Sequence, residues 1–175
     1  MLGKFKTAIV LVIIGAISGF LIWGTNELTN EDILLNRELR EQAYYKDIFG
    51  LDEAVEITYD SERISDLLEE VIIYDVDSNI LGYIYKGIDK NNYGDVVILV
   101  GIELSGDISN VIISSSTNTV TYVKNIKDNY LDPFVGQNID GLEYDSSTGA
   151  SFTYSSVKKV VKAASSYYLE NRGDE

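Results

Sequence analysis

Asp95-Val-Val-Ile-Leu-Val-Gly-Ile102 is dominated by β-branched and aliphatic residues and reads as a strand. Val71-Ile-Ile-Tyr74, Ile80-Leu-Gly-Tyr-Ile-Tyr85 and Ile108-Ser-Asn-Val-Ile-Ile113 read the same way. Turn chemistry separates these runs at Asp77-Ser-Asn79, Asp89-Lys-Asn-Asn92 and Ser105-Gly106-Asp107. Connections this short favour antiparallel hairpins over crossovers. Outward from the strands, Glu62 to Glu70 reads as a short helix ahead of the sheet. Val120 to Tyr130 reads as another, with the only proline, Pro133, marking its end. From Phe152 to about Glu170 an amphipathic pattern places Val157, Val160, Val161, Ala164 and Tyr168 on one face, suited to packing on the sheet. The expected fold class is α+β, an antiparallel sheet packed with helices and occupying residues 51–175.

The N-terminal part is different in kind. Thr7 to Asn26 is uncharged and rich in Ile, Val, Leu, Ala and Gly. At about 1.5 Å per residue such a helix spans the hydrocarbon of a bilayer. Trp23 lies near one end, where an interfacial aromatic is expected, and Lys4 and Lys6 flank the other. The positive-inside rule then predicts a single-pass anchor over residues 1–26, with a cytoplasmic N-terminus and an extracytoplasmic remainder. A cleaved signal peptide with Ala16-Ile17-Ser18 as its site is the competing reading, although the apolar run continues past it to Trp23. Thr29-Asn30-Glu31-Asp32 has the form of an N-cap with first-turn acids. Leu35, Leu39 and Ala43 follow at four-residue spacing, which predicts a separate membrane-proximal helix within 27–50.

Composition narrows the chemistry. The 175 residues include no cysteine and no histidine, which removes thiol catalysis, disulfides, Cys-ligated clusters and His-based triads. Any electrons moved here need an organic cofactor. The net charge is −14, and the two basic residues and absent acids of 1–26 leave residues 27–175 more acidic still. Such a surface repels nucleic acid. The carboxylates of Glu69, Glu70, Asp75 and Asp77 match no dedicated metal cage and read as a solvated edge.

One turn carries chemistry. Asp145-Ser-Ser-Thr148-Gly149-Ala150-Ser151 immediately precedes the last helix. A helix start offers unpaired N–H groups and the positive end of the macrodipole, both favourable to phosphate. Hydroxyls at Ser147, Thr148, Ser151 and Thr153 surround that position, Gly149 allows close approach, and Ala150 leaves space.

These residues resemble the FMN-binding domain family and, within it, the G subunit of Rnf complexes, kin to the C subunit of the sodium-pumping Nqr complex. Three segments carry the likeness: Ile17-Ser-Gly-Phe20 through Thr25-Asn-Glu-Leu-Thr29, Tyr93 to Ile102 with Gly106-Asp107-Ile108 after it, and the turn at 145–151, which matches D-x-x-[ST]-G-A-[ST]. The resemblance implies that a flavin transferase joins FMN through its phosphate to the hydroxyl of Ser151. It also implies cofactor contacts from Thr148, Gly149, Ala150, Thr153 and Thr117. Ser151 stands where threonine is usual. The family's second flavin loop, E-T-P-G-L-G, aligns with Ser116-Thr117-Asn118-Thr119-Val120-Thr121 and keeps only Thr117. The implied function is a redox subunit, not a stand-alone enzyme, of a membrane complex coupling ferredoxin–NAD electron flow to cation movement. Its implied partners are the other subunits of that complex. Tyr154, one turn into the motif helix, is a candidate neighbour of the flavin. The other reading is a structural subunit or membrane-anchored binding module that keeps the fold without the flavin.

Overall fold

The computed structural model describes residues 2–144 and 151–173, with the side chains of 2–5, 7 and 31 excluded. The chain divides into two compact units, residues 1–41 and 42–175.

The described residues of the first unit are all helical. Helix α1 runs Leu2–Ile48 without interruption, so its last turns belong to the second unit. No new helix begins at Thr29, contrary to the N-cap pattern. Thr29 is an interior residue whose hydroxyl donates to the Thr25 carbonyl at 2.8 Å, the usual back-bonding of a mid-helix threonine. Helical residues on both sides satisfy the local backbone, which leaves a cap nothing to do. Every large apolar side chain from Ile9 to Trp23 is exposed. Among the described residues, α1 is the one helix long and apolar enough to cross a membrane.

The second unit is built on a five-stranded antiparallel meander in sequential order: β1 (Thr58–Arg63), β2 (Leu68–Tyr74), β3 (Ile80–Asn91), β4 (Gly94–Glu103) and β5 (Ile108–Ser116). Helices α2 (Val120–Asn129) and α3 (Ser151–Asn171) follow, with short 3-10 turns at Asp132–Phe134 and Ile139–Gly141 between them. Both faces of the sheet are covered, which is why β4 reads as a continuous apolar run rather than an alternating one. Tyr85, Ile98, Val100, Val111 and Ile113 turn one way, into a core completed by Val157, Val160, Val161, Ala164 and Tyr168 of α3. Val71, Ile73, Ile84 and Leu99 turn the other way, against Tyr45 and Ile48 at the end of α1. Gly87 lets α3 close on the sheet, since a Cβ there would lie 2.3 Å from Val160 Cγ1.

Two local expectations fail for identifiable reasons. Residues 62–70 form part of the β1–β2 hairpin, with Glu62 opposite Glu70, and not a helix. Ile64, Leu67, Leu68 and Val71 have helical spacing. Ser65 overrides it, because its hydroxyl accepts from the backbone N–H groups of Leu67 and Leu68 and fixes a turn. Glu70 is not on a solvated edge either. It is buried, with Oε1 accepting from Tyr85 Oη at 2.9 Å and Oε2 from the Arg172 guanidinium at 3.0 Å. Asp75 does hold the β2–β3 turn, accepting from the N–H groups of Asp77 and Asn79.

The second expected turn, Asp89 to Asn92, is shorter than its polar sequence suggests. Asp89, Lys90 and Asn91 are paired strand residues, leaving Asn92-Tyr93 as the turn between β3 and β4. Asp89 is buried and bonded to Lys159 Nζ at 2.6 Å. Burial raises its pKa, but hydrogen bonds from Lys159 and Ser156 and the lysine charge outweigh that and hold it below the ordinary carboxylate range. A depressed folded pKa stabilises above the unfolded value, about 3.9, and that contribution disappears as pH falls through the folded value. Asp89→Asn is therefore expected to lower the urea midpoint at pH 7 and to have little effect at strongly acid pH. The exposed lysine partner keeps the neutral-pH effect modest. An equal loss at both pH values would show that packing, not charge, is what Asp89 contributes.

A candidate ligand cleft at the starts of two helices

Ser151 is the first residue of α3 and is exposed. Beside it opens a cavity of about 190 Å3, bordered by Ser151, Phe152 and Thr153 of α3, Asn118 and Thr119 after β5, Tyr122 of α2, and Tyr93 of the β3–β4 turn. The sheet makes this convergence. The β3–β4 hairpin and the end of β5 lie at one end of the meander, and α2 leaves from β5 at that end. Two helix N-termini thus border one cleft. Thr119 is the N-cap residue of α2; its side chain makes no capping hydrogen bond among the described residues, and its carbonyl accepts from the N–H groups of Tyr122 and Val123. No acidic or basic side chain lines the cavity among the described residues. In a chain of net charge −14, that neutral lining matters for an incoming anion.

A hydrogen-bonded frame holds the cleft. Asn118 is buried, and its Nδ2 donates to Thr153 Oγ1 at 3.0 Å, tying the segment after β5 to the first turn of α3. Its Oδ1 is also buried and has no partner among the described residues. An unpaired buried acceptor costs about 1–3 kcal/mol. Asn91 Nδ2 donates to Ser156 Oγ at 3.0 Å, a second tie between the hairpin and α3. Thr117 Oγ1 accepts from the Asp95 N–H at 2.8 Å, directly beneath Gly94. A Cβ on Gly94 would lie 2.1 Å from that oxygen, and the residue's φ of +131° is also a glycine conformation.

The residues expected from sequence fall into three groups. Ser151 and Thr153 border the cleft, but Thr153 is buried and contributes its hydroxyl to the frame. Thr117 does not line the cavity; its hydroxyl joins β4 to the segment after β5. Thr148, Gly149 and Ala150, with Asp145 and Ser147, lie outside the described residues. Tyr154 is buried against Tyr130 and Phe134, with Lys158 Nζ 4.9 Å from its ring centre. It is a core residue.

Asn118 and Thr119 fall in the stretch aligned with the second flavin loop, although only Thr117 of that stretch was expected as a contact; Tyr93, Tyr122 and Phe152 were not expected to line a cleft. A further signal existed for Thr119, which immediately precedes the expected helix start at Val120, and for Phe152, which follows Ser151. Tyr93 and Tyr122 are brought to them only by the tertiary fold. No group of three or more Asp or Glu side chains among the described residues is arranged to hold a metal ion.

No protein-family model matches the chain, and no curated protein matches it in sequence.

The cleft is smaller than the roughly 300–1,000 Å3 typical of pockets that engulf a ligand. It suits a molecule held partly at the surface. Its chemistry combines an exposed serine, two helix starts and several aromatic rings, and so fits an anionic group attached to a planar ring system.

Proposed function

We propose that this chain is an electron-carrying flavoprotein subunit of a membrane-bound, Rnf-type electron transport complex, with FMN joined by a phosphoester to Ser151. The observation that carries this reading is the exposure of Ser151 at the first position of α3, beside an uncharged aromatic cleft. Ser151 would provide the attachment oxygen. The N-terminal turn of α3 would favour the remaining phosphate charge, and that of α2 would add to the positive field. Bound FMN would supply one- and two-electron transfer, for which no side chain of a cysteine-free chain substitutes. Asn118, Thr117 and Asn91 hold the surrounding segments in place through the bonds described above. Helix α1 would serve as a single-pass anchor, with Lys4 and Lys6 keeping the N-terminus cytoplasmic and the flavin domain outside. Other subunits of the complex would be its lasting partners, and a flavin transferase a transient one.

A second reading, an anchored structural or binding module without flavin, draws support from Thr117 and Thr153, whose hydroxyls are engaged within the protein.

The test is mass spectrometry of the full chain produced together with a flavin transferase. The expected result is one FMN on the peptide containing Ser151 and a fluorescent band that survives denaturation. Ser151→Thr is expected to retain the adduct and Ser151→Ala to abolish it. An unmodified, colourless chain under those conditions would overturn the proposal in favour of the module.

A further inference from the structure

Three aromatic side chains around the cleft are left half in solvent. Tyr93 is 56%, Tyr122 49% and Phe152 47% exposed, and all three border the same cavity. They come from separate elements: the β3–β4 turn, the first turn of α2 and the first turn of α3. Tyr93 and Phe152 already meet edge to face, with ring centres 5.2 Å apart. Five other tyrosines, Tyr45, Tyr83, Tyr85, Tyr154 and Tyr168, are buried in the core. Aromatic rings have the largest apolar areas to withdraw from water, so three of them gathered around one opening suit a flat ligand.

A second observation points to the same place. Asn118, 6% exposed, forms part of the cavity wall, and its Oδ1 lacks a partner among the described residues. Protein groups have left this acceptor unmatched, and its burial keeps it from open solvent. Together with the two helix starts, these features describe a planar heterocycle carrying an anionic arm.

We propose that Tyr122, on one element, and the Tyr93–Phe152 pair, on two others, form an aromatic clamp that fixes the ring system of the flavin. The ligand's identity rests on the flavin reading above; the clamp itself does not depend on attachment at Ser151. The three rings are positioning residues. They set the orientation of the flavin and quench its fluorescence by stacking.

The experiment uses the full detergent-solubilised chain carrying Ser151→Ala, so that covalent attachment plays no part, with free FMN as the probe. FMN fluorescence is expected to fall on binding. Tyr122→Leu and Tyr93→Leu are each expected to weaken binding about tenfold, the scale of one lost aromatic stack, and to restore much of the emission. Tyr122→Phe, which keeps the ring, is expected to behave like the parent. Because the rings are exposed, the thermal midpoint of each variant is expected to stay near the parent's, which separates a lost clamp from a lost fold. Unchanged affinity and emission in both leucine variants would overturn the clamp, even if Ser151 of the unsubstituted chain carries FMN. So would a failure of the Ser151→Ala chain to bind FMN at all. Tyrosine-dependent binding without any adduct on Ser151 would leave the clamp standing and remove the covalent flavoprotein.

Discussion

Gly101→Ala is expected to cost about 2–3 kcal/mol, and Gly101→Val more, because overpacking a filled core forces neighbours off their rotamers. Gly101 lies on β4, facing the end of α1. A Cβ there would stand 2.1 Å from Ile48 Cγ2 and 3.0 Å from Ser109 Oγ. Neither neighbour yields easily. Ile48 is buried with Tyr45, Val71, Ile73, Ile84 and Leu99, and its carbonyl accepts from the Ser109 hydroxyl. For a chain of this size the alanine variant would melt roughly 4–12 °C lower. Ile48→Ala removes the clashing methyl and leaves a cavity, costing about 2–5 kcal/mol by itself. The double variant is expected to lose clearly less than the sum of the two, since the new methyl occupies part of the space vacated by the old one. Calorimetry of the four proteins measures this coupling, and simple additivity would show that the helix end does not pack on Gly101.

Arg172→Ala is the second large effect, expected at about 3 kcal/mol. The guanidinium pairs with Glu70, which is 4% exposed, and lies over the Tyr83 ring with its carbon 5.1 Å from the ring centre. Without it the buried carboxylate keeps only Tyr85 Oη among its hydrogen-bond donors described above. Burial, and then the charge of Glu70, hold the Tyr85 hydroxyl far above the ordinary tyrosine value. Tyr85 therefore remains a donor across the working pH range and cannot replace the lost charge. Replacing the whole set, Glu70→Met, Tyr85→Phe and Arg172→Met, is expected to restore much of the stability, because apolar side chains of similar volume need no partners. Denaturant midpoints distinguish these outcomes. An Arg172→Ala protein as stable as the parent would mean that the pair contributes nothing to holding the C-terminal turn of α3 against β2.

The two faces of the sheet explain which sequence signals could be trusted. Val96 to Ile102 is apolar at successive positions because α3 covers one side and Tyr45 and Ile48, at the end of α1, the other, so its strand character survives any choice of register. The α3 pattern was equally legible, since Val157, Val160, Val161, Ala164 and Tyr168 all reach the core. Residues 62–70 misled because apolar side chains three and four apart serve a helix and a hairpin equally well until a turn residue decides. Thr29 misled because a threonine followed by acids caps a helix only where the backbone actually ends.

Residue order alone specifies an antiparallel α+β domain, a long apolar helix before it, and a hydroxyl residue at the start of the last helix. Those properties are written in local periodicity and turn chemistry, which the chain carries wherever it folds. The packing of distant segments is what makes Tyr93, Asn118, Tyr122 and Phe152 surround one cleft, engages Thr117 and Thr153 in its frame, and brings Glu70 to Arg172. Each of these depends on segments separated by about 20 to 100 residues being brought together by the stacking order of strands and helices. No local pattern encodes that meeting, because the free energy that drives it comes from burying the sheet's two faces and not from the residues that meet.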